Sequence, residues 1–152
     1  MAQFGRASAL GAESRGFKSL YPDMETNLKK PFHKHLMIRG KVNNPPSNVD
    51  ATKDWLRDFV EFIDMKILQG PFASYVDVPG NRGLTAMVMI ETSHIAFHVW
   101  DEENPALLQF DLYTCGPLDI EKALQKIHEF FRFEYFEYLV YDRENTFELI
   151  EK

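Results

Sequence analysis

The stretch LTAMVMIETSHIAFHVW, residues 84–100, decides the fold. It is rich in β-branched, aromatic and other apolar residues and contains no Gly or Pro, which favours extended strand. We expect one long strand here, or a pair of strands interrupted near the centre. Because side chains alternate between the two faces of a strand, His94, His98 and Trp100 should share one face, and Ser93 should begin on the other.

Four further segments have the composition of strands and are bounded by turn-forming residues. The four are HLMIRGKV (35–42), PFASYVDV (71–78), LLQFDLYTC (107–115) and FEYFEYLVY (133–141). Two other segments have apolar residues three and four positions apart, which predicts amphipathic helices. These are DATKDWLRDFVEFIDMKI (50–67), with Asp50 or Thr52 as its N-cap, and LDIEKALQKIHEFF (118–131).

The predicted order of elements is β-α-β-β-β-α-β. This order is typical of an α+β fold, a two-layer sandwich in which two helices pack on one face of a mostly antiparallel sheet. The length of 152 residues suits one domain, which we place at residues 31–152. Residues 1–30 contain Gly, Ala, Ser and isolated charged residues, and their apolar residues have no periodic spacing. We therefore expect a flexible N-terminal arm. One small layered domain would bury only part of its thirteen Phe side chains, which favours self-association.

Composition argues against several classes of protein. The net charge is −6 and no basic run is available to contact phosphates, so we expect no nucleic-acid binding. No apolar run approaches the roughly eighteen residues that a membrane span needs. The single cysteine, Cys115, has no partner for an internal disulfide, and we expect a cytoplasmic protein. His33 and His35 would share one face of a strand, but no third ligand lies near them, and no metal site is predicted.

The 84–100 stretch and the strand after it carry the groups capable of chemistry. They bring a hydroxyl (Ser93), an imidazole (His98) and the thiol of Cys115 onto strands that follow one another and therefore usually pair. A bend or bulge at Ser93 is required if its carbonyl is to meet His98, and a strained peptide there would favour an N-to-O acyl shift. A Ser-His-Asp hydrolase is disfavoured because the G-x-S-x-G elbow is missing.

Two motifs stand together at a characteristic spacing. S-H-I-x-x-H-x-W occupies residues 93–100 and D-x-x-T-C-G occupies residues 111–116, with H-L-M-I-R-G upstream at 35–40. Together they resemble the signature of the pyruvoyl-dependent S-adenosylmethionine decarboxylases, in the small bacterial and archaeal form made as a proenzyme. The resemblance covers roughly residues 33 to 140.

The resemblance implies a cofactor made from the chain itself. In this family a serine attacks the carbonyl before it, the chain is cut, and the serine becomes a pyruvoyl group on the new N-terminus. Here the cut would fall between Thr92 and Ser93. The pyruvoyl group would form a Schiff base with S-adenosylmethionine and accept the electrons released when carbon dioxide leaves, which supplies spermidine synthesis. The resemblance also implies a homodimer.

The other roles follow from the resemblance by position. His98 would handle the proton during self-cleavage, and Thr85, in the place of a family serine, would assist it. Cys115 would be the acid that reprotonates the product carbon. Trp100 and Glu102 would lie beside the substrate, with the carboxylate of Glu102 suited to hydrogen-bond ribose hydroxyls.

Three positions differ from the family's pattern. Thr92 replaces the usual Glu before the serine, and Asp101 replaces the usual Pro after the tryptophan. Residues 78–80 contain no counterpart of the Phe thought to stack on adenine. Two alternatives therefore stay open. One is a non-processing homologue that binds a ligand or regulates a partner, and the other is a pyruvoyl decarboxylase of another amino acid, such as arginine or ornithine.

Overall fold

A computed structural model describes residues 33–152, and the arm predicted at residues 1–30 lies outside the described residues. Within this range the elements are β1 (Lys34–Val42), α1 (Val49–Phe62), β2 (Ile67–Val76), β3 (Gly83–Ile90), β4 (Ser93–Trp100), β5 (Ala106–Thr114), α2 (Ile120–Phe131), β6 (Phe133–Asp142) and β7 (Glu148–Glu151). The strands form one sheet in the order β2-β3-β4-β5-β1-β6-β7. Every neighbouring pair is antiparallel.

Both helices pack on the same face of the sheet. On β4, Phe97 is buried, and its ring contacts Trp55 of α1 and Phe131 of α2 edge to face, with centroids 6.1 and 5.0 Å apart. Edge-to-face contacts of this kind add to the free energy gained from burying the apolar area. The predicted α+β sandwich, with two helices on one face of an antiparallel sheet, is confirmed. Neither described helix is long and apolar enough to cross a membrane.

The observed order, β-α-β-β-β-β-α-β-β, contains two strands more than predicted. Of the two alternatives for residues 84–100, the pair of strands is observed: β3 and β4 are joined by a two-residue turn at Glu91 and Thr92. The apolar pattern continues across the turn because both strands face the same core, so periodicity alone does not show the break. The additional strand β7 has only four residues, three of them exposed at the sheet edge, and such a segment has too little apolar pattern to be recognised.

The first helix begins and ends earlier than predicted. Its N-cap is Asn48, whose side-chain oxygen accepts a hydrogen bond from the backbone amide three residues later at 3.0 Å. Neither Asp50 nor Thr52 is the cap, and the Thr52 hydroxyl instead donates to the Asn48 carbonyl at 2.8 Å. The helix ends at Phe62, and Ile67, predicted as its last residue, is the first residue of β2.

The face of the sheet opposite the helices is not covered by any described element. We call it the open face. Large apolar side chains are exposed on it, among them Phe72, Met87, Met89, Tyr135 and Leu139. These side chains form two patches, one on β2 and β3 and the other on β6, separated by strands β4, β5 and β1. Exposed apolar patches on a protein surface can mark sites of interaction.

Gly83 on β3 is paired with Trp100 on β4, and the backbone of β4 leaves no room for a side chain at Gly83. A Cβ atom on Gly83 would lie 1.8 Å from the carbonyl oxygen of Val99, and the φ of Gly83 is 149°. Gly80, in the preceding turn, also has a positive φ, of 84°, but a Cβ atom there would meet nothing within 4 Å. Both glycines therefore have a positive φ, but only Gly83 lacks the space for a Cβ atom.

We expect Gly83→Ala to lower the free energy of unfolding by at least about 2 kcal/mol more than Gly80→Ala, because only the former adds steric overlap. Gly80→Ala itself should cost about 1–2 kcal/mol, from the positive φ alone. Denaturant unfolding of the two variants beside the wild type measures both values. Equal costs for the two variants would show that β3 and β4 do not approach this closely at Gly83.

Candidate active site

Ser93 begins β4 directly after the turn that follows β3. Its φ is 149°, a value that residues other than glycine rarely adopt. Holding a serine there costs on the order of 1–3 kcal/mol, which the surrounding strand pairing must offset. The backbone beside the Thr92–Ser93 bond is therefore strained, although the pairing of β4 with β3 and β5 is regular at Ser93 and contains no bulge there.

Thr92 is held in place from the end of β5. Its carbonyl accepts a hydrogen bond from the backbone amide of Cys115 at 3.0 Å, and its hydroxyl accepts one from Thr114 at 2.8 Å. Thr114 is fully buried, and its own hydroxyl oxygen accepts from the Gly116 amide at 3.0 Å. A backbone N–H aimed at a carbonyl oxygen stabilises negative charge that develops there. The carbonyl preceding Ser93 thus has a donor in place for the charge that an attack on it would create.

The hydroxyl oxygen of Ser93 lies 3.1 Å from Nδ1 of His94. The His94 ring stands edge-on to Tyr113 of β5, with centroids 6.0 Å apart. An imidazole at this distance can accept the hydroxyl proton. Sequence reasoning alone gives His94 no definite role, because histidines on strands are often structural. The one available signal is its position directly after Ser93.

His98 lies at the other end of β4 from Ser93. The two residues are five positions apart on a continuous strand, which corresponds to about 16 Å. The Ser93 carbonyl therefore does not meet His98 within one chain. Instead, Nδ1 of His98 is 2.5 Å from the Thr85 hydroxyl on β3, directly across the strand pair. Thr85 and His98, which the resemblance assigns to self-cleavage, therefore contact each other but lie apart from Ser93.

The two residues expected beside the substrate lie near His98. The Trp100 ring packs on that imidazole with centroids 3.9 Å apart, and its indole N–H donates to the Asn81 side chain at 3.2 Å. Glu102 is exposed, and its carboxylate accepts a hydrogen bond from the Gly80 amide at 2.6 Å. Both residues therefore contact the connection between β2 and β3.

The site residues fall into two groups, one at each end of the β3–β4 pair, and Cys115 joins the first group from the end of β5. The hairpin group consists of Thr92, Ser93, His94 and Cys115, and the outer group consists of Thr85, His98, Trp100 and Glu102. Only the hairpin group surrounds the bond whose cleavage the sequence predicts. The outer group lies at the opposite end of the same strands.

No cluster of three or more His, Cys, Asp or Glu side chains within residues 33–152 is arranged to hold a metal ion. The two histidines considered as ligands have protein partners instead. Nδ1 of His33 is 2.8 Å from the Tyr113 hydroxyl, and Nε2 of His35 is 2.7 Å from the Asp111 carboxylate.

A family model described as S-adenosylmethionine decarboxylase matches residues 41–144, more than half of the chain. The matched range contains both groups of site residues. This chain belongs to the S-adenosylmethionine decarboxylase family.

Relatives in archaea carry the same family name. The S-adenosylmethionine decarboxylase proenzyme of Archaeoglobus fulgidus is 37% identical over 94 residues, an alignment that covers 61% of this chain and 82% of the relative. The proenzyme of Thermococcus gammatolerans is 43% identical over 104 residues, covering 66% of this chain and 68% of the relative. The crystal structure of the adenosylmethionine decarboxylase from Aquifex aeolicus matches with a TM-score of 0.57, covering 81% of this chain and 99% of that one. At 20% identity, this last likeness is one of fold.

Membership of the S-adenosylmethionine decarboxylase family confirms the resemblance drawn from the two motifs. The departures from the motif are now located in space. Thr92 lies in the hairpin group, where its carbonyl and hydroxyl are both engaged. Asp101 and residues 78–80 lie beside the outer group, where the family pattern expects substrate contacts.

The electrostatics of His98 favour its neutral form. Burial lowers the pKa of the His98 imidazole, and its Nε2 atom has no hydrogen-bond partner among the described residues. A neutral imidazole can accept a proton, whereas an imidazolium cannot. At pH 7 His98 is therefore available as a base.

We expect the pKa of His98 to lie below the ordinary histidine value of about 6.5. Because the unfolded chain then takes up the proton first, His98 makes the free energy of unfolding fall as the pH drops below about 6.5. An NMR titration of the ring protons, assigned by comparison with His98→Gln, measures the pKa directly. A midpoint at or above 6.5 would contradict the burial of this ring.

Proposed function

We propose that this chain is a self-processing, pyruvoyl-dependent S-adenosylmethionine decarboxylase. It cuts itself between Thr92 and Ser93 and acts in the cytoplasm, where its product supplies spermidine synthesis. The observation that carries the proposal is the geometry of the hairpin group. A strained serine has its hydroxyl beside an imidazole, and the carbonyl before it receives a backbone N–H from Cys115.

The hairpin group fits the chemistry of self-cleavage. The Ser93 hydroxyl attacks the Thr92 carbonyl carbon while Nδ1 of His94 takes the hydroxyl proton, and the Cys115 amide stabilises the charge on the Thr92 oxygen. Loss of the amide nitrogen from that carbon leaves an ester on the serine oxygen. Removal of the Ser93 α-proton then expels the Thr92 carboxylate, and hydrolysis of the remaining unsaturated residue releases ammonia and leaves the pyruvoyl group.

The pyruvoyl group would supply the electron sink for decarboxylation. The protein's own contribution is to place proton donors and substrate contacts around it. Cys115 is half-buried, at the end of the strand paired with β4, so its thiol can stay near the reacting carbon and return a proton to it. Its backbone and its side chain thus have different roles, the first in processing and the second in turnover.

This division can be tested by measuring carbon dioxide released from carboxyl-labelled S-adenosylmethionine. Cys115→Ala keeps the backbone N–H, so the chain should still be cut, but kcat should fall by about 10²-fold or more through loss of the general acid. Ser93→Ala should be neither cut nor active. The wild type given labelled arginine or ornithine in place of S-adenosylmethionine should release no carbon dioxide.

Release from arginine or ornithine, and none from S-adenosylmethionine, would keep the pyruvoyl mechanism and overturn the substrate. That outcome has a structural basis, since residues 78–80 provide no aromatic ring to stack on adenine. An uncut wild-type chain with no activity on any of the three would favour the non-processing homologue.

We further propose that the enzyme is a homodimer in which the open faces of two copies meet. The exposed apolar residues of that face favour association. The separation of about 16 Å between Ser93 and His98 within one chain gives the association a function. A second copy packed on the open face would bring its own Thr85–His98 pair to the hairpin group of the first. There its neutral His98 imidazole would accept the Ser93 α-proton, for which the hairpin group has no further base.

A mixing experiment tests this arrangement. The Ser93→Ala chain cannot be cut but retains His98, and the His98→Ala chain retains Ser93 but should not be cut alone. When the two are expressed together, we expect the His98→Ala chain to be cut at Thr92–Ser93 in the mixed dimers. Cleavage of the His98→Ala chain by itself at the wild-type rate would contradict a role for this residue in processing. An uncut chain in demonstrated mixed dimers would contradict its supply by the partner.

A further inference from the structure

Asp101 directly follows β4 and has an unusually complete set of hydrogen bonds. Its two carboxylate oxygens accept from Nε of Arg82 at 2.8 Å and from the Tyr75 hydroxyl at 2.7 Å. Its carbonyl accepts from the same guanidinium at 2.7 Å, and its amide donates to the Arg82 carbonyl at 3.1 Å. We call these three residues the clamp.

The clamp joins three parts of the chain, because Tyr75 is in β2, Arg82 precedes β3 and Asp101 follows β4. The Asp101 side chain is only 12% exposed, whereas that of Arg82 is 41% exposed. Burial acts against the charge on Asp101, but the hydrogen bonds from Arg82 and Tyr75 outweigh it and hold the pKa of the carboxyl below its ordinary value. The carboxylate is therefore ionised at neutral pH, and charge-assisted bonds of this kind are stronger than neutral ones.

The clamp fixes the connection between β2 and β3 against the end of β4. Between its members, Gly80 donates its amide to Glu102 at 2.6 Å, and Asn81 accepts from the Trp100 indole at 3.2 Å. Trp100 and Glu102 thus contact a short connection that Asp101 holds through the clamp. Loss of the Asp101 hydrogen bonds would weaken both contacts.

We propose that Asp101 is a positioning residue that, through the clamp, holds Trp100 and Glu102 in the arrangement that receives the substrate. This inference rests on the proposed function. A proline at this position, as in the family's motif, has neither a carboxylate nor an N–H and could form only the bond to its carbonyl. The clamp therefore depends on Asp101 and could not form in a chain with proline at this position.

The chain offers a matched control for the test. Glu103, two residues after Asp101, is 85% exposed, and the one ion pair described for it is with Lys41 at 3.9 Å. Glu103→Gln and Asp101→Asn both turn a carboxylate into an amide in the same connection, but only the second changes the clamp. Tyr75→Phe is a milder change, because it removes one hydroxyl and leaves the Arg82–Asp101 pair intact.

We expect Asp101→Asn to raise KM for S-adenosylmethionine about tenfold with a smaller change in kcat, because it disturbs binding and not the hairpin group. The fraction of cut chain, read from a denaturing gel, should match the wild type. Tyr75→Phe should raise KM by less, and Glu103→Gln should leave it unchanged. Amide hydrogen exchange across residues 77–82 should be faster in Asp101→Asn than in Glu103→Gln.

Each outcome separates this inference from the proposed function. A cut and active wild type with an unchanged KM in Asp101→Asn would overturn the positioning role and leave the decarboxylase intact. Equal falls in kcat and in the cut fraction would also overturn it, since they would place the effect on processing or folding. An uncut, inactive wild type would overturn the proposed function and with it the substrate role of Asp101.

Discussion

The backbone hydrogen bond from the Cys115 amide to the Thr92 carbonyl ties the end of β5 to the β3–β4 hairpin. It holds the turn that precedes Ser93, whose φ is positive, and it places Cys115 next to the bond at which we propose self-cleavage. The buried Thr114 supports the same turn through its hydroxyl, which donates to Thr92 while accepting from Gly116. These hydrogen bonds help to offset the cost of the positive φ at Ser93, which is on the order of 1–3 kcal/mol.

The antiparallel sheet divides the chemistry into two places. Four residues of extended strand lie between Ser93 and His98, so neither side chain can reach the other along β4. The helices occupy one face of the sheet, and the proposed homodimer would place a second copy on the open face. In the proposed homodimer, the open face would be the interface between the two copies. It would also be where the hairpin group of one copy meets the outer group of the other.

Much of this architecture could be predicted from the sequence. The two helices and the strong strands follow from apolar periodicity, and the hairpin group is recognisable because Ser93 and Cys115 stand in two motifs of fixed spacing. Apolar periodicity leaves both one strand and an interrupted pair open for residues 84–100, because β3 and β4 present apolar residues to one core. The distance from Ser93 to His98 could be read only once β4 was known to be continuous. The clamp could not be predicted from the sequence, because Tyr75 and Asp101 are 26 positions apart and are brought together only by strand pairing.

The central claim is that the strained peptide at Thr92–Ser93 is the site of self-cleavage. Intact-mass spectrometry of the purified protein, with Ser93→Ala prepared in parallel, tests it most directly. The account predicts two fragments, one ending at Thr92 and one beginning with a pyruvoyl group in place of Ser93, and a single full-length mass for the variant. A single full-length mass for the wild type, unchanged after prolonged incubation, would contradict it.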